Sequence, residues 1–172
     1  AEVIIDNLEK IPGGEKLVED VVLRINRAAE DAAREVAPIF VNSITQNTIQ
    51  DAFAILKGSD NASTQYLSNT TRRDLYNLYQ PRIRQSTEKE IVAGISTKES
   101  WETLTGKWNV FANSLVGRMA GFEAVNVDLD EYLTNRALDG VFLKVQDEEE
   151  KIRKNVSARV TPLLEKVFGS LD

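Results

Sequence analysis

Apolar residues recur every three or four positions along almost the whole of this 172-residue chain, and no segment alternates with period two long enough to read as a strand. That periodicity predicts an all-α fold: a single-domain, multi-helix bundle of eight or nine helices spanning residues 1–172. A first stripe is Val3, Ile4, Leu8 and Ile11, broken by Pro12-Gly13-Gly14. A second helix over about 15–37 carries Leu17, Val18, Val21, Val22, Ile25, Ala29, Ala32, Ala33 and Val36. Pro38 should kink or end it, with 39–44 continuing at an angle, because proline lacks the amide proton and crowds the preceding turn.

Thr48 three residues before Asp51 resembles a capping box and predicts a short helix over 49–57. The stretch "GSDNASTQYL" (58–67) then has residues suited to stop one helix and start another: Gly58 as a left-handed terminator, Asp60 as a cap. Thr71 and Asp74 repeat the cap pattern before a helix from Arg72 that should kink at Pro81 and run through Ile91 and Val92 to Gly94. Lys98 to about Met119 reads as one helix with an aromatic core stripe of Trp101, Leu104, Trp108, Phe111 and Leu115. A loop should follow to Val127. Asp128 should cap 129–133, Thr134 a long helix over 135–154, and Thr161-Pro162 should start or kink the last helix, which ends near Gly169.

Composition bounds the chemistry. The chain has no cysteine and no histidine, which removes thiolate and imidazole nucleophiles, bases and metal ligands. The formal charge is −6, with acidic residues interspersed among Lys and Arg, which argues against a nucleic-acid partner. No apolar run is long enough to span a membrane. "NVDLD" (126–130) begins like a calcium loop, but Glu131 and Ala137 stand where such a loop needs glycine and glutamate, so no metal site is expected. Asp128 and Asp130 read instead as capping and helix-dipole residues. Asn61-Ala62-Ser63, Asn69-Thr70-Thr71 and Asn155-Val156-Ser157 fit the glycosylation triplet, a pattern that chance supplies in such loops.

The candidate binding residues are polar groups on apolar faces. Asn26 lies on the alanine-rich face of its helix, flanked by Arg27 and Glu30. Glu149 falls in the stripe of Leu138, Phe142, Val145 and Ile152, and if buried must be paired. Arg27 is the expected interhelical partner, Arg136 is a further candidate, and Arg153, four residues on, is the local competitor. Tyr66 completes the set. No cofactor is expected.

Three segments, "NRAAEDAAREVAPIF" (26–40), "AFAILKGSDNASTQYL" (52–67) and "DLDEYLTNRALDGVFLKVQDEEEKIRKN" (128–155), resemble the bacterial family of domain of unknown function 4197, in order and spacing, over nearly the whole chain. The resemblance implies an all-helical protein of Gram-negative bacteria, in the periplasm or cell envelope, from a precursor with a secretory or lipoprotein signal. It supplies no catalytic residues. Family members usually carry a further helical segment before the point matching Ala1, and Asn-Pro where this chain has Asn155-Val156. The expected function is a non-enzymatic envelope protein that binds a protein partner or a small apolar ligand. The alternatives are a structural or assembly protein acting through an exposed helix face, and a carboxylate-based enzyme using Glu30 or Glu149.

Overall fold

The computed structural model describes residues 32–92 and 94–170, together with Glu19, Leu23, Asn26, Arg27 and Glu30. Those five, with Ala32 and Ala33, are helical. The expected helix over 1–11 lies outside the described residues. Beyond Ala33 come seven α-helices: α1 (Val36–Thr45), α2 (Ile49–Leu56), α3 (Ala62–Thr87), α4 (Thr97–Ala112), α5 (Leu115–Met119), α6 (Leu129–Lys154) and α7 (Pro162–Phe168). A 3-10 turn, Val156–Ala158, follows α6. The all-α class holds; seven helices lie beyond Ala33, and the expected total of eight or nine is not confirmed among the described residues.

One departure from pure helix is a short antiparallel ladder, β1 (Glu90–Val92) with β2 (Ile95–Ser96). The helix expected through Ile91 and Val92 stops instead at Thr87, and Gly94, at φ +80°, turns the chain back. That is the left-handed geometry glycine adopts without steric cost.

Caps explain most of the remaining boundaries. Thr48 and Asp51 form the expected capping box, each side chain meeting the other's backbone amide. A second box, Ser96 with Glu99, starts α4 one residue earlier than the apolar stripe indicates. The single helix expected to Met119 is broken at Asn113, where Ser114 caps the separate α5. Asp128 accepts from the Glu131 amide at the start of α6, as expected. Thr134 is not a cap: it lies inside α6 and donates to the Asp130 carbonyl. Thr71 likewise lies within α3 and donates to the Leu67 carbonyl, so α3 begins at Ala62 rather than at Arg72. Thr161 caps α7 with Pro162 as its first residue.

Pro38 and Pro81 are accommodated within helices. The chain turns at Arg34-Glu35, and Pro38 becomes the third residue of α1, where a missing amide costs no helical bond. Helix α3 continues through Pro81, as expected, the kink itself being unconfirmed, and Arg82 Nη1 donates to the Leu78 carbonyl beside it.

The chain groups into two compact units, residues 1–32 with 78–135, and residues 33–77 with 136–172. In the first, Tyr79, Ile83, Trp101, Ala112 and Leu129 are buried, with Trp101 packed on Leu129, Val125 and Leu133. In the second, Val36, Leu75, Leu138 and Phe142 are buried, and Phe40 packs against the Phe142 ring at 6.2 Å. Both interiors are rich in threonine. Thr71, Thr105 and Thr134 each return their hydroxyl to the carbonyl four residues back, so they pack as apolar groups with no orphaned donor.

Candidate functional site

The buried charge of the second unit is built on the last two turns of α6. Glu149 and Arg153 face one way because they are four residues apart, and both side chains are nearly inaccessible. Arg153 Nε and Nη2 reach Glu149 Oε1 at 2.9 and 2.8 Å. Glu149 then crosses to the start of α3. Its Oε1 accepts from the Ser63 amide at 2.9 Å; its Oε2 accepts from the Thr64 amide and the Thr64 hydroxyl, both at 2.8 Å. Those amides belong to the first turn of α3, which has no partner of its own. Glu149 is therefore an N-cap supplied by another helix.

Arg153 does the reverse. Its Nη1 and Nη2 donate to the carbonyls of Leu56 and Ile55 at the end of α2, at 3.1 and 2.8 Å. Phe168 of α7 covers the guanidinium, 5.6 Å from ring centroid to Cζ. One ion pair thus places negative charge at a helix N-terminus and positive charge at a helix C-terminus, the arrangement the helix dipoles favour. Between those ends lies the joint that begins at Gly58. Lys154 adds a surface bridge to Asp60 at 2.7 Å, which holds the Asp60 carboxyl below its usual range. Arg159 is buried and closes α6 itself, donating to the carbonyls of Ile152 and Arg153.

The joint is where "GSDNASTQYL" placed it, but its parts differ. Gly58 does not take a positive φ, the two glycines that do among the described residues being Gly94 and Gly121. It must be glycine because a Cβ there would stand 2.7 Å from the Ala62 Cβ and 2.8 Å from the Ala54 carbonyl oxygen. Asp60 pairs with Lys154, and Glu149 takes the capping role expected of it.

Of the six candidate binding residues, the structure brings Glu149 and Arg153 together. Arg153 fills the place expected of Arg27, which is exposed, as are Asn26 and Glu30. Tyr66 turns its hydroxyl to the Ser43 carbonyl at 3.3 Å. Burial alone would raise the Glu149 pKa, but the bonds from Ser63 and Thr64 outweigh it and hold the carboxyl below its ordinary value. A carboxylate whose oxygens are taken by Ser63, Thr64 and Arg153, with its pKa held below the ordinary value, is a poor general acid or base near neutral pH.

The first unit holds a buried charge that the sequence presented only as a helix-dipole residue. Asp130 is fully buried and accepts from the Thr87 hydroxyl and from Lys98 Nζ at 3.1 Å, with Arg84 Nε at 3.4 Å. The bond to Asp130 raises the Lys98 pKa. Two of the open clefts are lined by charge: Asp147, Glu150, Lys151, Lys154 and Asn155 in one, and Glu88, Glu90, Lys98, Glu99 and Glu102 in the other. No cluster of metal-ligating side chains occurs among the described residues.

The first unit also carries exposed apolar surface. Helix α5 folds back on the end of α4 so closely that a Cβ on Gly117 would lie 2.3 Å from the Phe111 carbonyl oxygen. The rings of Trp108, Phe111 and Phe122 meet pairwise at 5.5–6.1 Å and brace this corner. From it Val110, Leu115, Val116 and Met119 project with 77, 77, 67 and 82% of their surface exposed. The core stripe expected through Leu115 therefore ends before it: Trp101 is buried, Trp108 half-buried, and Phe111 and Leu115 exposed.

Among the described residues, these features define a helical protein in which Glu149, Arg153 and Arg159 hold helix ends and several large apolar side chains are exposed. The chain belongs to the family described as "Protein of unknown function (DUF4197)", which it matches over residues 1–169. No curated protein and no solved structure matches it.

Proposed function

We propose that this is a non-enzymatic protein of the bacterial cell envelope that works by docking through apolar surface. The observation that carries the reading is the α4–α5 corner, where four large apolar side chains stand two-thirds or more exposed on a well-braced turn. Isolated exposed apolar residues are ordinary, and four of them within ten residues support a docking surface where their side chains form one patch. The absence of cysteine and histidine and the capping role of Glu149 support a binding rather than a catalytic protein. The envelope assignment rests on the sequence resemblance and is tested by fractionating the native host. Docking is tested by placing a photo-crosslinking residue at Met119 in the full chain in that host. A crosslinked product supports the reading, and its absence alongside efficient crosslinking at a core control position opposes it.

A second reading, a structural or assembly protein, draws on Val41 and Ile44, exposed on one side of α1 in the other unit. Charged substitutions there that change assembly size, while Met119 substitutions do not, would favour it.

A further inference from the structure

We infer that α7 is a latch on the α2–α3 joint. It opens about Val160-Thr161, and its closed position, with Phe168 seated on Arg153, tightens the hold of Arg153 on α2 and, through Glu149, on α3. This stands apart from the docking reading, since every part of it lies in the second unit.

The hinge follows from where the chain stops being fixed. Arg159 is buried and donates to the Ile152 and Arg153 carbonyls, so the backbone is tied to α6 up to that residue. Val160, Thr161 and Pro162, which come next, are all exposed. From there α7 supplies its own start: the Leu164 amide donates to Thr161 Oγ1, and Pro162 needs no partner for an amide proton. A helix of seven residues does not persist in water by itself, so its order depends on the surface it rests on.

That surface is small. No residue of α7 is buried, Leu163 is largely exposed, and Leu164 and Phe168, one turn apart, are the two that are half-buried. The Phe168 ring lies over the Arg153 guanidinium, and a Cβ on the adjacent Gly169 would come within 4.0 Å of Arg159 Nη1. The C-terminal end of α7 therefore rests against two guanidinium groups, where its dipole favours positive charge. A segment held by so little buried apolar area opens at the low end of the range of local stabilities.

Arg153 is the group that α7 and the joint share. Phe168 covers its guanidinium, while its nitrogens donate to the Ile55 and Leu56 carbonyls and to Glu149. With the ring in place water is kept off the guanidinium, and charge-assisted bonds are stronger in that drier setting. Opening α7 wets Arg153 and lets water compete for the two carbonyls. Glu149 feels the change directly, because its Oε1 accepts from Arg153 and from the Ser63 amide together. The last helix of the chain thus sets how firmly α2 and α3 are joined.

Amide hydrogen exchange of the full chain, read residue by residue by NMR, tests both halves of the inference. In the parent protein the Phe168 and Gly169 amides should exchange about tenfold or more faster than those of Leu138 and Phe142 in α6. Phe168→Ala should remove the remaining protection of α7. It should also speed exchange at Ser63 and Thr64, whose amides report the Glu149 cap, by about fivefold, with Leu138 and Phe142 unchanged. Phe168→Tyr keeps a ring over the guanidinium and should hold Ser63 and Thr64 within about twofold of the parent. Protection of α7 equal to that of α6 in the parent overturns the opening. Unchanged Ser63 and Thr64 exchange in Phe168→Ala overturns the coupling and leaves α7 a terminal helix without effect on the joint. A rise as large at Leu138 as at Ser63 is global unfolding and overturns it too, as does a tyrosine that behaves like alanine.

Discussion

Glu149 and Arg153 stand one turn apart on α6, bonded to each other, and each closes the end of a different helix. Removing either leaves a buried charge without its partner and a helix end without its cap. Loss of one member of a buried pair costs about 3–5 kcal/mol, against about 0–1 kcal/mol for an exposed pair. Glu149→Ala and Arg153→Ala should each fall in the larger class by urea denaturation. Their costs should not add: the double variant should be more stable than the sum predicts by about 0.5–3 kcal/mol. Additive losses would mean that the two side chains serve their helix ends independently.

The same pair makes stability sensitive to acid. Bonds from Ser63 and Thr64, acting against burial, hold the Glu149 pKa below the 4.5 of a free glutamate. A lowered folded-state pKa means that the unfolded chain binds the proton more readily. The stabilisation is therefore complete above the unfolded value and is lost as pH falls through the folded one. Denaturation midpoints taken downwards from neutral pH should fall most steeply below about 4.5. Glu149→Gln should be less stable at neutral pH and should show a shallower acid limb. Parallel acid limbs for the two proteins would place the titrating group elsewhere.

How far the sequence foretold this depends on what kind of signal each feature has. Local signals were legible: the Thr48–Asp51 box, the Asp128 cap and the Thr161-Pro162 start all lie within four residues of what they cap. The burial of Glu149 was legible from its place on an apolar stripe. Its role was not, because the Ser63 and Thr64 amides are 86 and 85 residues away and backbone donors leave no residue type to search for. Arg153 could be found as an i,i+4 partner, whereas its second role at Ile55 and Leu56 has the same invisibility. Asp130 was missed for a different reason. Next to an N-cap, an aspartate already has a sufficient local explanation in the helix dipole, which hides its burial against Thr87 and Lys98. The exposed corner was hidden by periodicity itself, since Leu115 continues the stripe of Trp108 and Phe111 after the helix has ended at Ala112.

The two tryptophans give that boundary an optical readout. Trp101 is buried on Leu129, with its indole N–H held by the Val127 carbonyl at 3.2 Å, while Trp108 is half-buried against Phe111 and Phe122. Trp108→Phe should leave blue-shifted emission that acrylamide quenches weakly. Trp101→Phe should leave redder emission that acrylamide quenches several-fold more efficiently. Equal quenching in the two variants would contradict the difference in burial.

Gly58 and Gly94 need to be glycine for opposite reasons, and substitution can tell them apart. Gly94 has φ +80° and open space where a Cβ would go. Its constraint is conformational, so Gly94→Ala should cost about 1 kcal/mol, and Gly94→Asn less, because asparagine tolerates the left-handed region. Gly58 has no such φ, but a Cβ would press on the Ala62 Cβ at 2.7 Å and on the Ala54 carbonyl oxygen at 2.8 Å. Its constraint is steric, and a backbone oxygen cannot rotate away. Gly58→Ala should cost about 1–3 kcal/mol, as overpacking does, and Gly58→Asn should be no better. Adding Ala62→Gly should recover part of the Gly58→Ala loss, since it removes the first contact and leaves the second. Thermal or urea melts of the five variants decide it: an asparagine that outperforms alanine at position 58 would mean that the joint turns through a left-handed residue after all.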